Sequence, residues 1–300
     1  MVSLYQHKDS NIRRTWALFI GFLIVVIGIG WIFSQVYGDS NILYIAVAFS
    51  VFMNAVSYWY SDKIVLRMAR AKPVSMKDNP ELYRIVENLA ITAGLPMPKL
   101  YLVPERALNA FATGRDPKHA VVAVTQGLLE KLDRSELEGV LSHELSHIGN
   151  RDILIGTVAV ILVGFISILS DIFLRSMMWG GGRSRDDRGN AGGIFLLIGI
   201  ALSILAPISA MLIQLAISRK RESLADASGA LLTRYPEGLA RALEKLARDT
   251  TPMRAANNTT SHLWIDDPFP KEKRTHWLHK LFMTHPPIEE RIKALRGLGV

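Results

Sequence analysis

The sequence predicts a mainly α-helical protein that combines four transmembrane helices with a soluble α+β part containing a small sheet. Three observations support this fold class: four long apolar stretches without a charged residue, amphipathic helical periodicity outside them, and three short segments with the length of strands. Hydrophobic residues make up 49% of the 300 residues, and the mean hydropathy of +0.20 is high for a soluble protein. The composition therefore favours a membrane protein with a folded soluble part.

The four apolar stretches are the candidate membrane segments. They run from Trp16 to Phe33, Asn41 to Tyr60, Ile153 to Leu169 and Gly193 to Ser218. About 20 helical residues are needed to cross a hydrocarbon core of about 30 Å. The third stretch is the shortest, and a buried soluble helix is the alternative for it. The first stretch is too long for a signal peptide and lacks a small-residue cleavage site, which favours a retained anchor.

Basic residues indicate how these segments are oriented. Arg13 and Arg14 precede the first stretch, whereas the loop 35–41 contains no Lys or Arg. Further basic clusters follow the second and fourth stretches, at 63–72 and 219–221. The positive-inside rule then places both termini and the soluble segments in the cytoplasm. Because this topology explains the net charge of +8 and no nucleic-acid recognition motif is present, we expect no nucleic-acid partner.

The most informative motif is the run His143-Glu144-Leu145-Ser146-His147. On a helix, residues four apart lie on the same face, so the two imidazoles can reach one metal ion. Glu144 stands beside them, where it can accept a proton from a metal-bound water. A helical HExxH pattern is the signature of zinc metallopeptidases. The alternative is a surface helix that happens to carry two histidines and an ordinary acid.

The residues around the motif predict the helix that it requires. Asp133 followed by Glu136 is typical of an N-cap with its capping-box partner. Apolar residues then recur at helical spacing, at Leu137, Val140, Leu141 and Leu145. This stripe would pack on a core and would fix the direction of the two histidines.

The third ligand is expected beyond the fourth apolar stretch. The chain has no Cys, so a metal must be bound by His and carboxylate groups. Glu222 lies four residues past the stretch, and a membrane hairpin would bring it to the depth of His147. Asp226, one turn later, could accept the N–H of a ligand histidine. Alternatively, both acids balance Arg219 and Arg221 on a solvated face.

These motifs divide the chain into four parts. We expect an N-terminal transmembrane hairpin in 1–62 and the first part of a catalytic domain, with the HExxH helix, in 63–152. A second transmembrane hairpin would occupy 153–218, and the rest of the catalytic domain, with the third ligand, would occupy 219–300. The metal would then lie close to the membrane surface.

At these residues the whole chain resembles the HtpX-type membrane zinc metallopeptidases, which are similar to the CAAX prenyl endopeptidases. The resemblance is carried by the HExxH run with Asn150 and Asp152, by residues 221–226, by residues 109–114, and by residues 284–286 with Arg291. It implies a gluzincin-like domain with one Zn²⁺ per chain, bound by His143, His147 and Glu222, and with Glu144 as the catalytic residue. It also implies a multi-pass protein of a bacterial or archaeal plasma membrane.

The resemblance further implies a role in protein quality control, in which misfolded or damaged membrane proteins are cut at the cytoplasmic face. The expected partners are polypeptide substrates and the lipid bilayer, and a homo-oligomer is left open. The first alternative function is a specific processing peptidase that acts on prenylated or other defined substrates. The second is a membrane scaffold without activity, against which the intact HExxH motif and Glu222 argue.

The remaining soluble segments carry weaker signals. Short strands are predicted at 99–103, 110–113 and 120–124. By resemblance, the segment containing Asn109, Ala110, Phe111 and Ala112 would be an edge strand beside the zinc that pairs with an extended substrate; the alternative is an ordinary strand. His285 precedes two prolines, and two roles stay open for it, stabilising the oxyanion or holding the fold together. The segment 249–284 has no steady period and could cap the cleft or rest on the membrane.

Overall fold

The computed structural model describes residues 4–180, 219–254, 260–266 and 286–298. The fourth apolar stretch and His285 lie outside the described residues. Within them the chain is mainly helical and contains a small mixed sheet. The helices are α1 (Leu4–Tyr37), α2 (Asn41–Trp59), α3 (Ser61–Met68), α4 (Pro80–Thr92), α5 (Gln126–Lys131), α6 (Arg134–Gly149), α7 (Asp152–Gly180), α8 (Arg219–Thr233), α9 (Pro236–Arg248) and α10 (Ile288–Arg296). The strands are β1 (Lys72–Val74), β2 (Lys99–Val103), β3 (Ala110–Thr113) and β4 (Val121–Thr125).

Two helices are long and apolar enough to cross a membrane. The candidate spans are Ser10–Gln35 within α1 and Asn41–Trp59, which is all of α2. A third span is counted among the described residues only if α6 and α7 are taken together, although the chain bends by 84° between them. Length and composition therefore support the two predicted N-terminal spans, whereas four spans stay a prediction.

Helix α7 contains the third predicted membrane stretch. The side chains of its first half are buried within the protein: Ile155 and Leu162 pack in one cluster with Leu18 and Phe22 of α1. Val160 belongs to a second cluster that includes residues of the sheet. The first half of α7 is thus a core helix that packs between α1 and the sheet. Its side chains contact protein on these sides, as those of a buried helix do.

The sheet has the strand order β1-β2-β4-β3, which places β3 at one edge. β2 and β4 run parallel, while β3 pairs with β4 in antiparallel register, with Ala112 opposite Val122. The predicted bounds of β2 and β3 are confirmed, and β4 begins and ends one residue later than predicted. β1 was not predicted, because a three-residue edge strand containing Pro73 has no alternating pattern.

Helix α6 begins as the sequence predicts. The Asp133 carboxylate accepts the N–H of Glu136, and the Glu136 carboxylate accepts the N–H of Asp133. Its apolar stripe is buried in the main core against α4 and α9. At Gly139 a Cβ would lie 2.5 Å from the backbone nitrogen of Leu239, so α9 can approach α6 this closely only because the residue is glycine. These contacts fix the rotation of α6 about its axis.

Candidate active site

Helix α6 directs the two histidines of the motif toward one point. The His143 residue is 1% exposed, and the side chain of His147, one turn later, is 15% exposed. Their Nε2 atoms are 3.1 Å apart, and the rings meet edge to face with an interplanar angle of 86°. The helical spacing therefore produces the convergence that the sequence predicts.

Glu222 of α8 completes a three-residue cluster. Its Oε2 lies 3.8 Å from Nε2 of His143, and its Oε1 lies 3.6 Å from Nε2 of His147. One ligand atom from each of the three residues lies within 4.8 Å of the other two. The structure thus brings together two imidazoles and a carboxylate that are separated by more than 70 positions in the sequence.

Small residues allow α8 to pack this close to α6. Ala225 and Gly229 follow Glu222 at intervals of three and four residues, on the same buried face of α8. A Cβ at Gly229 would lie 3.0 Å from the backbone nitrogen of His143, closer than an ordinary van der Waals contact. The small-residue spacing is a sequence signal for the helix pair that places Glu222.

The donor set fits a divalent transition metal. Metal bonds of about 2.0–2.2 Å in a tetrahedral site place neighbouring ligand atoms about 3.3 Å apart. The observed separations run from 3.1 Å between the imidazole nitrogens to 3.8 Å between Oε2 of Glu222 and Nε2 of His143. Two imidazole nitrogens and one carboxylate oxygen leave a fourth position for water. The residues present therefore fit the metal centre of a hydrolase.

Each imidazole also faces a carboxylate through its other nitrogen. Nδ1 of His143 lies 2.9 Å from Oδ1 of Asp226, although the direction departs from that of an ideal hydrogen bond. Nδ1 of His147 donates to Oδ2 of Asp152 at 3.1 Å. Such carboxylate contacts fix the tautomer and orientation of metal-binding histidines. The structure therefore brings Asp226 next to His143 and Asp152 next to His147, and the role of Asp226 toward a ligand histidine stays a prediction.

The electrostatics of the cluster favour positive charge. Burial by itself lowers the pKa of His147, but the negative charges of Glu222, Asp152 and Glu144 outweigh burial and raise this pKa to about 9. Burial by itself raises the pKa of the Asp226 carboxyl, but the neighbouring Arg291 guanidinium holds this pKa well below its usual range. Four carboxylates around the two histidines thus make the site attractive to a cation.

Glu144 lies in the cleft that opens beside the cluster. It is 2% exposed and belongs to the same turns of α6 as the two histidines. The cleft measures about 60 Å³, which is room for several water molecules. Its lining residues come from α6, α7, α8, the edge strand and the segment before residue 266: Ala112, His143, Glu144, His147, Asp152, Ile153, Gly156, Arg221, Glu222, Leu263 and Ile265.

Strand β3 is the edge strand of the sheet and reaches this cleft at Ala112. The Asn109 carbonyl accepts a hydrogen bond from the N–H of Thr125, the last residue of β4, whereas the Ala110 carbonyl accepts one from the N–H of Ile265 on the opposite side. Strand alternation then directs the N–H and C=O of Ala112 away from β4 as well. The main chain of Ala112 therefore faces the cleft, while Phe111 has its main-chain groups directed at β4.

A short segment, 260–266, covers the start of this edge. Besides the Ile265 bond to Ala110, the Asn109 side chain donates to the carbonyl of Asp266 at 2.9 Å and accepts from its N–H at 3.3 Å. Trp264 is 1% exposed and meets the Phe111 ring edge to face at 4.7 Å between centroids. This segment is anchored in the core, so the first part of the predicted edge strand is already paired within the chain.

The comparison with known families identifies the chain. Residues 76–298 match peptidase family M48. The chain belongs to peptidase family M48. Curated relatives named Protease HtpX homolog are 47% identical in Caldanaerobacter subterraneus subsp. tengcongensis, covering 99% of both chains, and 50% identical in Thermococcus kodakarensis, covering 95% of both. Another relative of that name, from Syntrophobacter fumaroxidans, is 50% identical over 95% of this chain and 98% of its own.

The fold of this M48 peptidase is similar to that in the crystal structure of S. mikatae Ste24p. The TM-score is 0.51 at 19% identity, and the match covers 98% of this chain and 67% of the other. The family and the relatives show that the chain is a membrane metallopeptidase, and the HtpX-type resemblance is confirmed. The His143, His147 and Glu222 cluster is where such a peptidase would hold its metal.

Three residues around the M48 site had no predicted role. Only the family resemblance points to Asp152 and Arg291, although the position of Asp152, five residues after His147 and at the start of α7, is a local signal. Arg291 and Asn11 contact Asp226 and Asp152 from 65 and 141 positions away, and nothing local marks these pairs. His285, for which two roles were considered, lies outside the described residues.

Proposed function

We propose that the protein is a zinc-dependent endopeptidase that binds one Zn²⁺ per chain through His143, His147 and Glu222. The observation that carries this proposal is the convergence of their three ligand atoms next to Glu144. A mixed His and carboxylate set without Cys is the ligand type of catalytic zinc. The cluster is also gluzincin-like, because the third ligand is a glutamate from a separate helix.

The bound zinc would supply Lewis acidity and would lower the pKa of its water toward about 7. Glu144 would be the general base: it would accept a proton from the attacking water and would later give it to the leaving amine. Its nearly complete burial beside the two histidines supports this role, because a carboxylate there is held close to the attacking water. Asp226 and Asp152 keep the imidazoles directed at the metal.

The substrate would bind as an extended polypeptide along β3. The outward-facing N–H and C=O of Ala112 can pair with a substrate main chain, which gives binding with little sequence preference. Ala110 is already paired with Ile265. The substrate strand therefore pairs at Ala112 and ends before Ala110. Asn109 and Phe111 hold the segment 260–266 in place rather than binding substrate directly.

The substrates we propose are misfolded or damaged membrane proteins, cut at the cytoplasmic face as part of protein quality control. The cleft lies where α7 begins, and α7 packs against the candidate span in α1. A site in this place would meet polypeptide segments as they leave the bilayer.

We also propose the division of the chain into two membrane hairpins, 1–62 and 153–218, each followed by one segment of the catalytic domain, 63–152 and 219–300.

A processing peptidase for lipidated substrates is the second candidate, and one cavity favours it. A largely apolar cavity of about 700 Å³ opens beside α1 and α2, lined by Trp16, Phe19 and Leu23 and also by the charged residues Arg115, Asp116 and Arg151. Its volume and lining would accept a prenyl chain. Cleavage of a prenylated peptide at a higher kcat/KM than an unfolded membrane protein would favour this second candidate.

Substitution of Glu144 by Gln tests the proposed chemistry. Glu144→Gln keeps the shape of the side chain but removes the base, so the purified variant should retain one zinc per chain and lose cleavage by at least about 100-fold. Glu138→Gln changes a partly exposed residue of the same helix whose side chain pairs with Arg134; it is the matched control and should keep both. Cleavage retained in Glu144→Gln would contradict the proposed mechanism. Wild-type protein that binds no zinc would contradict it as well.

A further inference from the structure

Asn11 is a buried polar residue that the proposed chemistry does not use. It lies near the start of the candidate span in α1 and is only 3% exposed. Its side-chain nitrogen donates to the carbonyl of Asn150 at 3.1 Å and to Oδ1 of Asp152. Its side-chain oxygen accepts from Nη1 of Arg221 at 3.5 Å. One amide thus contacts three different segments of the soluble part.

These three segments are the ones that hold the metal site. Asn150 caps the C-terminus of α6, which carries both histidines. Asp152 opens α7 and accepts a hydrogen bond from His147. Arg221 immediately precedes Glu222 in α8, and its Nε lies 3.5 Å from the same Oδ1 of Asp152. The amide therefore joins the C-terminus of α6 to the first turns of α7 and α8, next to the point where the proposed ligands of α6 and α8 converge.

The two carboxylate oxygens of Asp152 contact different partners. Oδ2 faces His147, whereas Oδ1 faces Asn11 and Arg221. A carboxylate held on one oxygen alone could rotate about its Cβ–Cγ bond, and the hydrogen bond to the imidazole would then change direction. The contacts on Oδ1 fix this rotation, so the orientation of His147 depends on them.

Packing alone does not explain an asparagine at this position. The next turns of α1 pack on α7 through apolar side chains, among them Leu18 and Phe22. A buried amide costs free energy unless its donors and acceptor are paired, and here both donors and the oxygen have partners. An apolar residue would serve packing equally well, whereas only an amide can donate to Asp152 and Asn150 while it accepts from Arg221.

We propose that Asn11 is a positioning residue of the metal centre, which makes the first membrane helix a structural part of the active site. It acts through Asp152, which it holds in the orientation that directs His147 at the metal. The inference rests on the proposed function, since it requires that His147 is a metal ligand.

The test measures the zinc affinity of the full-length protein in detergent by competition with a chelator of known affinity. Asn11→Ala removes all three contacts, and Asn11→Asp keeps the shape but removes both donated hydrogen bonds. Mutation of a residue that hydrogen-bonds a metal ligand typically lowers metal affinity by about 10–100-fold. Asn11 contacts such a residue, Asp152, and not the ligand itself, so we expect zinc affinity to fall by about tenfold in each variant. KM for a peptide substrate at saturating zinc should not change, because Asn11 does not line the cleft.

Two controls separate positioning from general packing. Thr15→Val alters a buried residue one turn later in α1, whose hydroxyl donates only to the Asn11 carbonyl, and it should keep the wild-type zinc affinity. In the double variant Asn11→Ala with Asp152→Asn, the loss should equal that of Asp152→Asn alone, since one residue acts through the other.

The outcomes distinguish this inference from the proposed function. Wild-type zinc affinity in a folded Asn11→Ala or Asn11→Asp protein would overturn the positioning role, and so would additive losses in the double variant. If the alanine variant does not fold, the isosteric aspartate variant decides. Absence of zinc binding in the wild-type protein would instead overturn the proposed function itself.

Discussion

The guanidinium of Arg291 binds both carboxylate oxygens of Asp226, with Nε to Oδ2 and Nη2 to Oδ1 each at 2.8 Å. Both residues are buried, and the remaining Nη1 of Arg291 donates to the carbonyl of Ile265 at 3.0 Å. Asp226 in turn faces Nδ1 of His143. One arginine of α10 therefore connects the segment that covers the edge strand with the carboxylate behind a proposed metal ligand.

Loss of the arginine side chain should destabilise the protein strongly. Arg291→Met leaves Asp226 as an uncompensated buried charge, which typically costs about 3–5 kcal/mol. The control is Arg296→Met on the same helix, which removes ion pairs to Glu237 and Glu244 on the surface and should cost less than about 1 kcal/mol. Chemical unfolding in detergent measures both. Equal losses in the two variants would contradict the buried-pair argument.

The same pair predicts a loss of stability in acid. The folded-state pKa of Asp226 is held below its unfolded value by Arg291, against the opposing effect of burial. The contribution to stability is therefore fully present above about pH 4 and is lost as the pH falls below it. Asp226→Asn does not titrate, so the melting temperatures of wild type and variant should differ by a constant amount above about pH 4 and should approach each other as the pH falls below it. A difference that stays constant with pH would refute this account.

Zinc affinity should rise with pH over an unusually high range. Because the pKa of His147 is raised to about 9 in the zinc-free protein, the imidazole is protonated at neutral pH and zinc must displace one proton. The apparent affinity should increase about tenfold per pH unit up to about 9 and then level off. An imidazole with an ordinary pKa would level off near about 6.5. Chelator competition at several pH values, corrected for the chelator, separates the two curves.

Close packing of α8 on α6 should be necessary for metal binding. Gly229→Val places side-chain atoms against the backbone of His143, where even a Cβ would lie at 3.0 Å. We expect α8 to be displaced and zinc affinity to fall by at least about tenfold, because Glu222 moves with its helix. Gly149→Ala is the control: it is exposed, has only ordinary contacts to Leu95, and should leave zinc affinity unchanged. Wild-type zinc affinity in Gly229→Val would show that α8 tolerates the change.

Local signals made the first half of the site predictable. The HExxH spacing, the capping box at Asp133 and the apolar stripe all lie within α6, so helical periodicity alone gives the direction of both histidines. Glu222 could be predicted from its place after an apolar stretch. The bounds of β2 and β3 followed from their short apolar runs.

Contacts between distant segments could not be predicted in this way. The partners of Asp226 and Asp152 come from 65 and 141 positions away. No local pattern marks Asn11, and only the family resemblance points to Arg291. The hydrogen bond between Ile265 and Ala110, which covers the start of β3, could not be predicted either, because a main-chain hydrogen bond leaves no pattern in the side chains. Long-range polar contacts depend on the final packing, which local propensity does not describe.

Pairing of the substrate with a single residue of β3 gives the sharpest test of the cleft. Ala112→Pro removes one N–H, and because this N–H points away from β4 the sheet keeps its ladder. The loss of one hydrogen bond of about 0.5–1.5 kcal/mol should raise KM by about two- to twelvefold, with zinc content unchanged. Ala110→Pro is the matched control on the same edge: its carbonyl is already bound to Ile265 and its N–H to the Asn109 side chain, so KM should stay at the wild-type value. If both prolines raise KM equally, the substrate strand extends past Ala110 and segment 260–266 must move aside when it binds.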